Sequence, residues 1–317
     1  MLAMLMPRDI VIILIILLLG LSVTVAAQTD VEEQCSPVDL RDELPPVWNQ
    51  WTIKDCYSYV AADLLTHEIG KVVAPKYISL NYNLHRRYTS KTGHGGSTAK
   101  ALRFALEQGF CLEQDHEAAW VPIEAKNLGE FIAIEGGGDL RWCNSAARKR
   151  ALRLVDNHNI DIYTIFTIIN LLKKGNSQVD KLSDVVGKSC YKITKYKDKS
   201  LRVKQLVGSK RTSATLIKKI DQQLNKRKLS AISFPLIMFK NPKNRIRQGG
   251  HAGSIVGRRW NSIKKSCEYL LRNSWGKGCS YRSYHQDYQC EKGNIWIPRQ
   301  TLQRSIKRLR YLDRSPN

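Results

Sequence analysis

Residues 49–65 read N-Q-W-T-I-K-D-C-Y-S-Y-V-A-A-D-L-L, and they set Cys56 directly before a segment with the spacing of a helix. Tyr57, Val60, Ala61, Leu64 and Leu65 fall on the apolar positions of that segment. A cysteine at a helix N-terminus feels the positive end of the macrodipole, which favours thiolate over thiol. Six residues upstream, Gln50 carries an amide donor able to face an oxyanion developing beside the sulfur. Free cysteines are more often packing residues, so this stretch alone leaves a nucleophile and a buried core cysteine evenly matched.

The second half of the chain holds what a nucleophilic Cys56 needs. His251 opens a strand in G-G-H-A-G-S-I-V-G (249–257), and Asn273 closes another in L-L-R-N-S-W-G (270–276). A thiol nucleophile wants an imidazole within hydrogen-bond reach, and the imidazole wants a third group to fix its ring. An asparagine amide does this without adding charge, and Trp275 is placed to keep water off the bond. Each residue has a plainer reading, since a lone histidine on an apolar strand is usually packed core.

Export frames the rest. Ile10 to Gly20 is an unbroken apolar run after Arg8, and small residues end at Ala26-Ala27. Residues 1–27 read as a signal peptide cleaved near Ala27; an uncleaved anchor over 10–27 is the alternative, because the run approaches spanning length. Either way the body lies outside the cytoplasm, periplasmic or secreted. Disulfides are then admissible among the eight cysteines at 35, 56, 111, 143, 190, 267, 279 and 290. Cys279 and Cys290 bracket a short polar segment between two strand-like stretches and form the expected pair. The other five stay open. No C-x-x-C spacing or H-E-x-x-H is present, so neither metal nor cofactor is expected.

The formal charge of +23 is unevenly placed. Residues 28–140 carry 10 basic and 17 acidic side chains, whereas 141–317 carry 40 and 10. Such a balance suits acidic polymers or anionic surfaces, or simply a solvated face. No Walker, Rossmann or zinc-finger pattern supports specific nucleic-acid or nucleotide recognition.

Along the chain, prolines keep residues 35–48 extended, and the Cys56 helix ends near Gly70. A second helix is expected over about 98–108, with Ser97 as N-cap and Gly109 as C-cap. The tandem Gly95-Gly96 before it either makes a turn or lets an extended peptide approach the backbone. Thr215–Arg227 reads as a basic amphipathic helix and Leu229–Phe239 as a buried strand. Strands follow at Ala252–Val256, Glu268–Asn273 and Asn294–Pro298, then a basic helix from Thr301 to Leu312.

Taken in order, Gln50, Cys56 at a helix start, Gly95-Gly96, Gly-His251-Ala and Arg-Asn273-Ser-Trp-Gly resemble the papain-like cysteine peptidases. The resemblance runs from about Asp39 to Pro298. Asp39-Leu40-Arg41 and Trp296-Ile297-Pro298 make the exported bacterial branch the nearest match. It implies an α+β fold with a helical N-terminal lobe, an antiparallel β-barrel-like C-terminal lobe, and the active site between them. Residues 28–38 become a short leading segment, and 39–317 the peptidase domain with a basic insertion around 144–211. Cys56 would be the nucleophile beside an imidazolium at His251, with Asn273 as orienter and Gln50 in the oxyanion hole. Gly95, Gly96 and Trp275 would contact a peptide or protein substrate.

The chain also departs from the pattern. Ile53-Lys54-Asp55-Cys56-Tyr57 keeps only the nucleophile and its aromatic follower of C-G-[SA]-C-[WY]. Ile53 removes one family disulfide, Lys54 and Asp55 put charges beside the thiol, and Trp51 replaces a glycine after Gln50. His251 follows Cys56 by 195 residues, against roughly 130–150. A catalytically silent relative acting as a basic binding module is therefore the competing function.

Overall fold

The computed structural model describes residues 35–50, 55–85, 96–115, 190, 192–196, 198–209, 212–239, 249–279 and 288–314. The leader, Trp51, Ile53, Lys54, Gly95, Cys143 and residues 144–189 lie outside these.

Helices dominate the first part of the described chain. After β1 (Val38–Asp39) comes α1 (Cys56–Ile69), buried on every side from Tyr57 to Thr66. A helix apolar nearly all round belongs at the centre of a protein, and α2 (Pro75–His85) and α3 (Thr98–Gln108) pack against it. Gly70 ends α1 at φ 67, the left-handed conformation that side chains resist. Ser97 Oγ accepts from the Lys100 N–H at the start of α3, whose Ala101, Leu102 and Ala105 face inward.

Sheet dominates the second part. β2 (Phe110–Cys111) pairs with β3 (Ile193–Thr194), apart from the main sheet. Then follow β4 (Leu201–Val207), α4 (Ser213–Asn225), β5 (Ser230–Pro235), β6 (Gly250–Asn261), β7 (Ser266–Arg272), β8 (Gln289–Glu291), β9 (Asn294–Pro298), α5 (Arg299–Ser305) and β10 (Arg308–Arg314). The antiparallel sheet runs β4-β10-β5-β6-β7-β9-β8, with β1 paired to β6. His251 to Arg258 are all buried, so both faces of β6 are covered; α1 and α4 each pack against it.

This is an α+β arrangement, but not a barrel. Closure requires the end strands to pair, and among the described residues β4 and β8 stand at opposite ends of the order. The core is continuous, with Leu64 and Leu65 of α1 in the same cluster as Ile255, Leu271 and Leu309 of the sheet.

Two sequence readings need correction. The expected helix over 301–312 stops at Ser305, and Arg308–Arg314 form β10 between β4 and β5. The strand expected over 229–239 ends at Pro235 and turns into a 3-10 segment, Leu236–Phe239, because proline cannot donate to a ladder. The closing part of the lysine-rich 144–211 stretch is woven into the fold as β3 and β4.

Disulfides join Cys35 to Cys267, Cys111 to Cys190 and Cys279 to Cys290. Among the described residues no helix is long and apolar enough to cross a membrane.

Candidate active site

Cys56 is the first residue of α1 and the free cysteine among the described residues. It keeps part of its surface open. The backbone N–H groups of Ala252, Tyr57 and Cys56 itself lie close enough to its sulfur to favour the thiolate. The Ala252 contact places the thiol beside the start of β6, one residue from His251.

His251 is 6 % exposed and packed on three sides by aromatic rings. Trp275 lies 4.7 Å from it by ring centroids, tilted by 34°, while Phe234 and Phe239 meet it edge-on at 5.5 Å and 6.0 Å. His251 Nε2 lies 2.8 Å from Asn273 Oδ1, and the pair is buried. An amide oxygen only accepts, so Nε2 carries the proton and Nδ1 is the basic nitrogen. Asn273 follows the last residue of β7 and is 2 % exposed.

Gln50 reaches the same place through a separate ladder. Its N–H donates to Ser274 O at 2.8 Å, Asn49 bridges to Trp275, and Gly276 N–H donates to Trp48 O at 2.7 Å. The Ser274 hydroxyl donates to Gln50 Oε1, so Nε2 lies on the opposite side of the amide. Gln50, 223 residues from Asn273 in sequence, is thus held against the Asn273-Ser274-Trp275 run.

Gly96 has a packing reason for being glycine. A Cβ there would come within 2.6 Å of the Tyr57 ring, which adjoins Cys56. Gly95 lies outside the described residues, and no contact of Gly96 bears on a substrate role.

The charge states run against the imidazolium that the resemblance implies. Burial pushes the Cys56 thiol up to about 11, with the three N–H groups opposing and the Asp55 charge adding to it. Burial also pulls His251 down to about 4 against the Asn273 bond. Burial thus disfavours the charged form of each group taken singly.

Two contributors went unread in the sequence. Phe239 packs on both His251 and Trp275, the latter at 5.5 Å; its signal was Pro235, which ends the strand and lets the chain turn back over the histidine. Ser274 stands inside the Arg-Asn-Ser-Trp-Gly run, and nothing in its sequence surroundings marks it as the partner of Gln50. Among the described residues no cluster of His, Cys, Asp and Glu could hold a metal.

No family model matches the chain, and no curated protein matches it. Among solved structures it is similar to the ragweed pollen cysteine protease Amb a 11 in its proform, with TM-score 0.46 and 15% identity, covering 88% of this chain and 65% of that one. Procathepsin L 3 of the Tenebrio molitor larval midgut gives TM-score 0.45 and 12% identity over 87% of this chain and 69% of that one. The Carica candamarcensis cysteine protease CMS1MS2, in complex with E-64, gives 0.45 and 16% over 89% and 99%.

Proposed function

We propose that the chain is an exported papain-like cysteine peptidase, with Cys56, His251 and Asn273 as its triad. One juxtaposition carries the reading: the Cys56 sulfur lies by the Ala252 N–H, next to His251, while the far nitrogen of that imidazole is held by Asn273. Cys56 gives its proton to His251 Nδ1 as the sulfur attacks a peptide carbonyl. The oxyanion takes hydrogen bonds from the Gln50 amide and the Cys56 N–H. The C–N bond then breaks, the amine leaves with the proton from the imidazolium, and a thioester remains. Water attacks the thioester with His251 as base, releasing the acid and restoring the thiol. Each group is held neutral singly. A proton passing from one to the other makes two opposite charges at once, and their attraction works against both burial penalties. Gly95, Gly96 and Trp275 are proposed to line the substrate path. The three disulfides favour an oxidising compartment, periplasmic or extracellular.

A second reading, a catalytically silent relative that binds acidic polymers or membrane surfaces, is favoured by the burial that keeps both groups neutral. Alkylation of Cys56 by iodoacetamide separates the two. The peptidase reading expects reaction below pH 7 that is lost in His251→Ala, together with cleavage of a mixed peptide library that Cys56→Ala abolishes. Reaction only above about pH 8, identical in both proteins and without cleavage, would establish the silent reading.

A further inference from the structure

Seven residues on from Cys56, about two turns along α1, Asp63 is buried at 4 % exposure. The proposed chemistry does not use its charge. Its Oδ2 accepts from Ser254 Oγ at 2.9 Å, and both of its oxygens accept from Arg272 Nε at 3.1 Å. The Trp48 side chain hydrogen-bonds to it as well. Arg272 is equally buried and spends Nη2 on Pro46 O at 3.1 Å.

Each partner adjoins a residue of the site. Ser254 lies three positions after His251 on β6. Arg272 immediately precedes Asn273. Trp48 stands two before Gln50, and its carbonyl accepts from Gly276. Asp63 itself sits on the helix that Cys56 opens. Four segments, two from the first part of the chain and two from the second, therefore meet at one carboxylate, and each carries one member of the site.

We propose that Asp63 is the positioning residue that holds Cys56, His251, Asn273 and Gln50 in mutual register. The proposal rests on the peptidase reading for its effect on rate, though not for its effect on geometry. Folding stability is a weak reason for such a charge, because a buried ion pair is often no better than apolar side chains of similar volume. What the carboxylate supplies is direction. Its bonds fix the segments at about 3 Å, whereas apolar packing lets them slide, and displacement of a reacting group by 1 Å costs on the order of 100-fold in rate.

The decisive variant is the paired replacement Asp63→Leu with Arg272→Met, which keeps the junction filled and leaves no buried charge alone. It is expected to fold, with a melting temperature lowered by the Ser254 and Trp48 donors it leaves unpaired, and to lose about 100-fold in kcat with KM within about twofold. The His251 Nε2–H proton resonance, expected to be sharp in the wild type through the Asn273 bond, is expected to broaden or vanish in this variant. Ser254→Ala, the milder probe, is expected to lower kcat by about tenfold with the resonance weakened, and it decides the matter if the paired variant does not fold. A folded paired variant, or failing that Ser254→Ala, with wild-type kcat and an unchanged resonance would overturn the proposal and leave the junction merely structural. If the wild type cleaves nothing, the peptidase reading fails instead, and the resonance alone then decides the positioning role.

Discussion

Asp55 stands one residue before Cys56 and is 5 % exposed. Its Oδ2 accepts from Ser79 Oγ at 2.7 Å, and that hydroxyl lies 3.3 Å from Tyr57 OH. Burial pushes the carboxyl up to about 7, with the Ser79 bond pulling it back. The folded state therefore binds this proton more tightly than the unfolded chain does. Its contribution to stability is full below about pH 4 and is lost as pH rises through 7. His251 works in the opposite sense: its contribution is present above about pH 6.5 and is lost as pH falls through 4. Asp55→Asn keeps the shape and removes one trend. It is expected to raise stability at pH 8 by up to about 4 kcal/mol while changing it little at pH 4. It should also speed alkylation of Cys56 at pH 8, since the Asp55 charge holds the thiol up. Urea unfolding at the two pH values checks this, and equal gains at both would sink the account. The sequence showed that a charge stood beside the thiol. It did not show that the charge was buried, because Ser79, its partner, lies 24 residues away on another helix.

At the scale of elements, legibility followed locality. The helix Thr98–Gln108 was readable because its cap, its apolar stripe and its terminal glycine all lie within the segment. The last element was not. Arg308 to Arg314 alternate charged and apolar residues with a period near two, but the preceding Thr301–Ser305 is helical and the basic pattern invites its extension. Long-range pairing decides: β10 meets β4 over seven residues and β5 over three, and the buried Arg310 donates to Gln205 and Ser233 at 3.0 Å and 2.7 Å. None of those partners is near in sequence. A truncation after Ile306 tests the placement sharply. As a surface helix, residues 307–317 would be dispensable. As the strand between β4 and β5, their loss should leave protein that aggregates or unfolds without cooperativity. A soluble truncated chain with a wild-type urea transition would refute the central position of β10.

Over the whole molecule, the uneven charge is partly spent internally. Basic residues of the second half pair with acidic residues of the first, as in Arg272–Asp63, Arg227–Glu43, Arg314–Glu68 and Lys228–Glu68. Those pairs draw the two halves together, yet 40 basic against 10 acidic side chains over 141–317 leaves a large surplus. Part of it is displayed on β4 and the segment before it, where Lys192, Lys195, Lys199, Arg202 and Lys204 are all exposed. β4 is also the terminal strand of the sheet. Charged side chains on such an edge have an ordinary use, since they discourage pairing with another chain. The surplus gives them a second, as a contact for polyanions. Replacing Lys192, Lys195, Lys199 and Lys204 by Gln separates the two uses. If the lysines meet a polyanion, heparin elution should shift to lower salt. The slope of log affinity against log salt should also fall by up to about 3 to 4, because each neutralised anionic group releases close to one counterion. If they only guard the edge, elution should track the overall charge with an unchanged slope, and the variant should aggregate more readily at high concentration. The slope is the quantity that decides, because aggregation leaves it untouched.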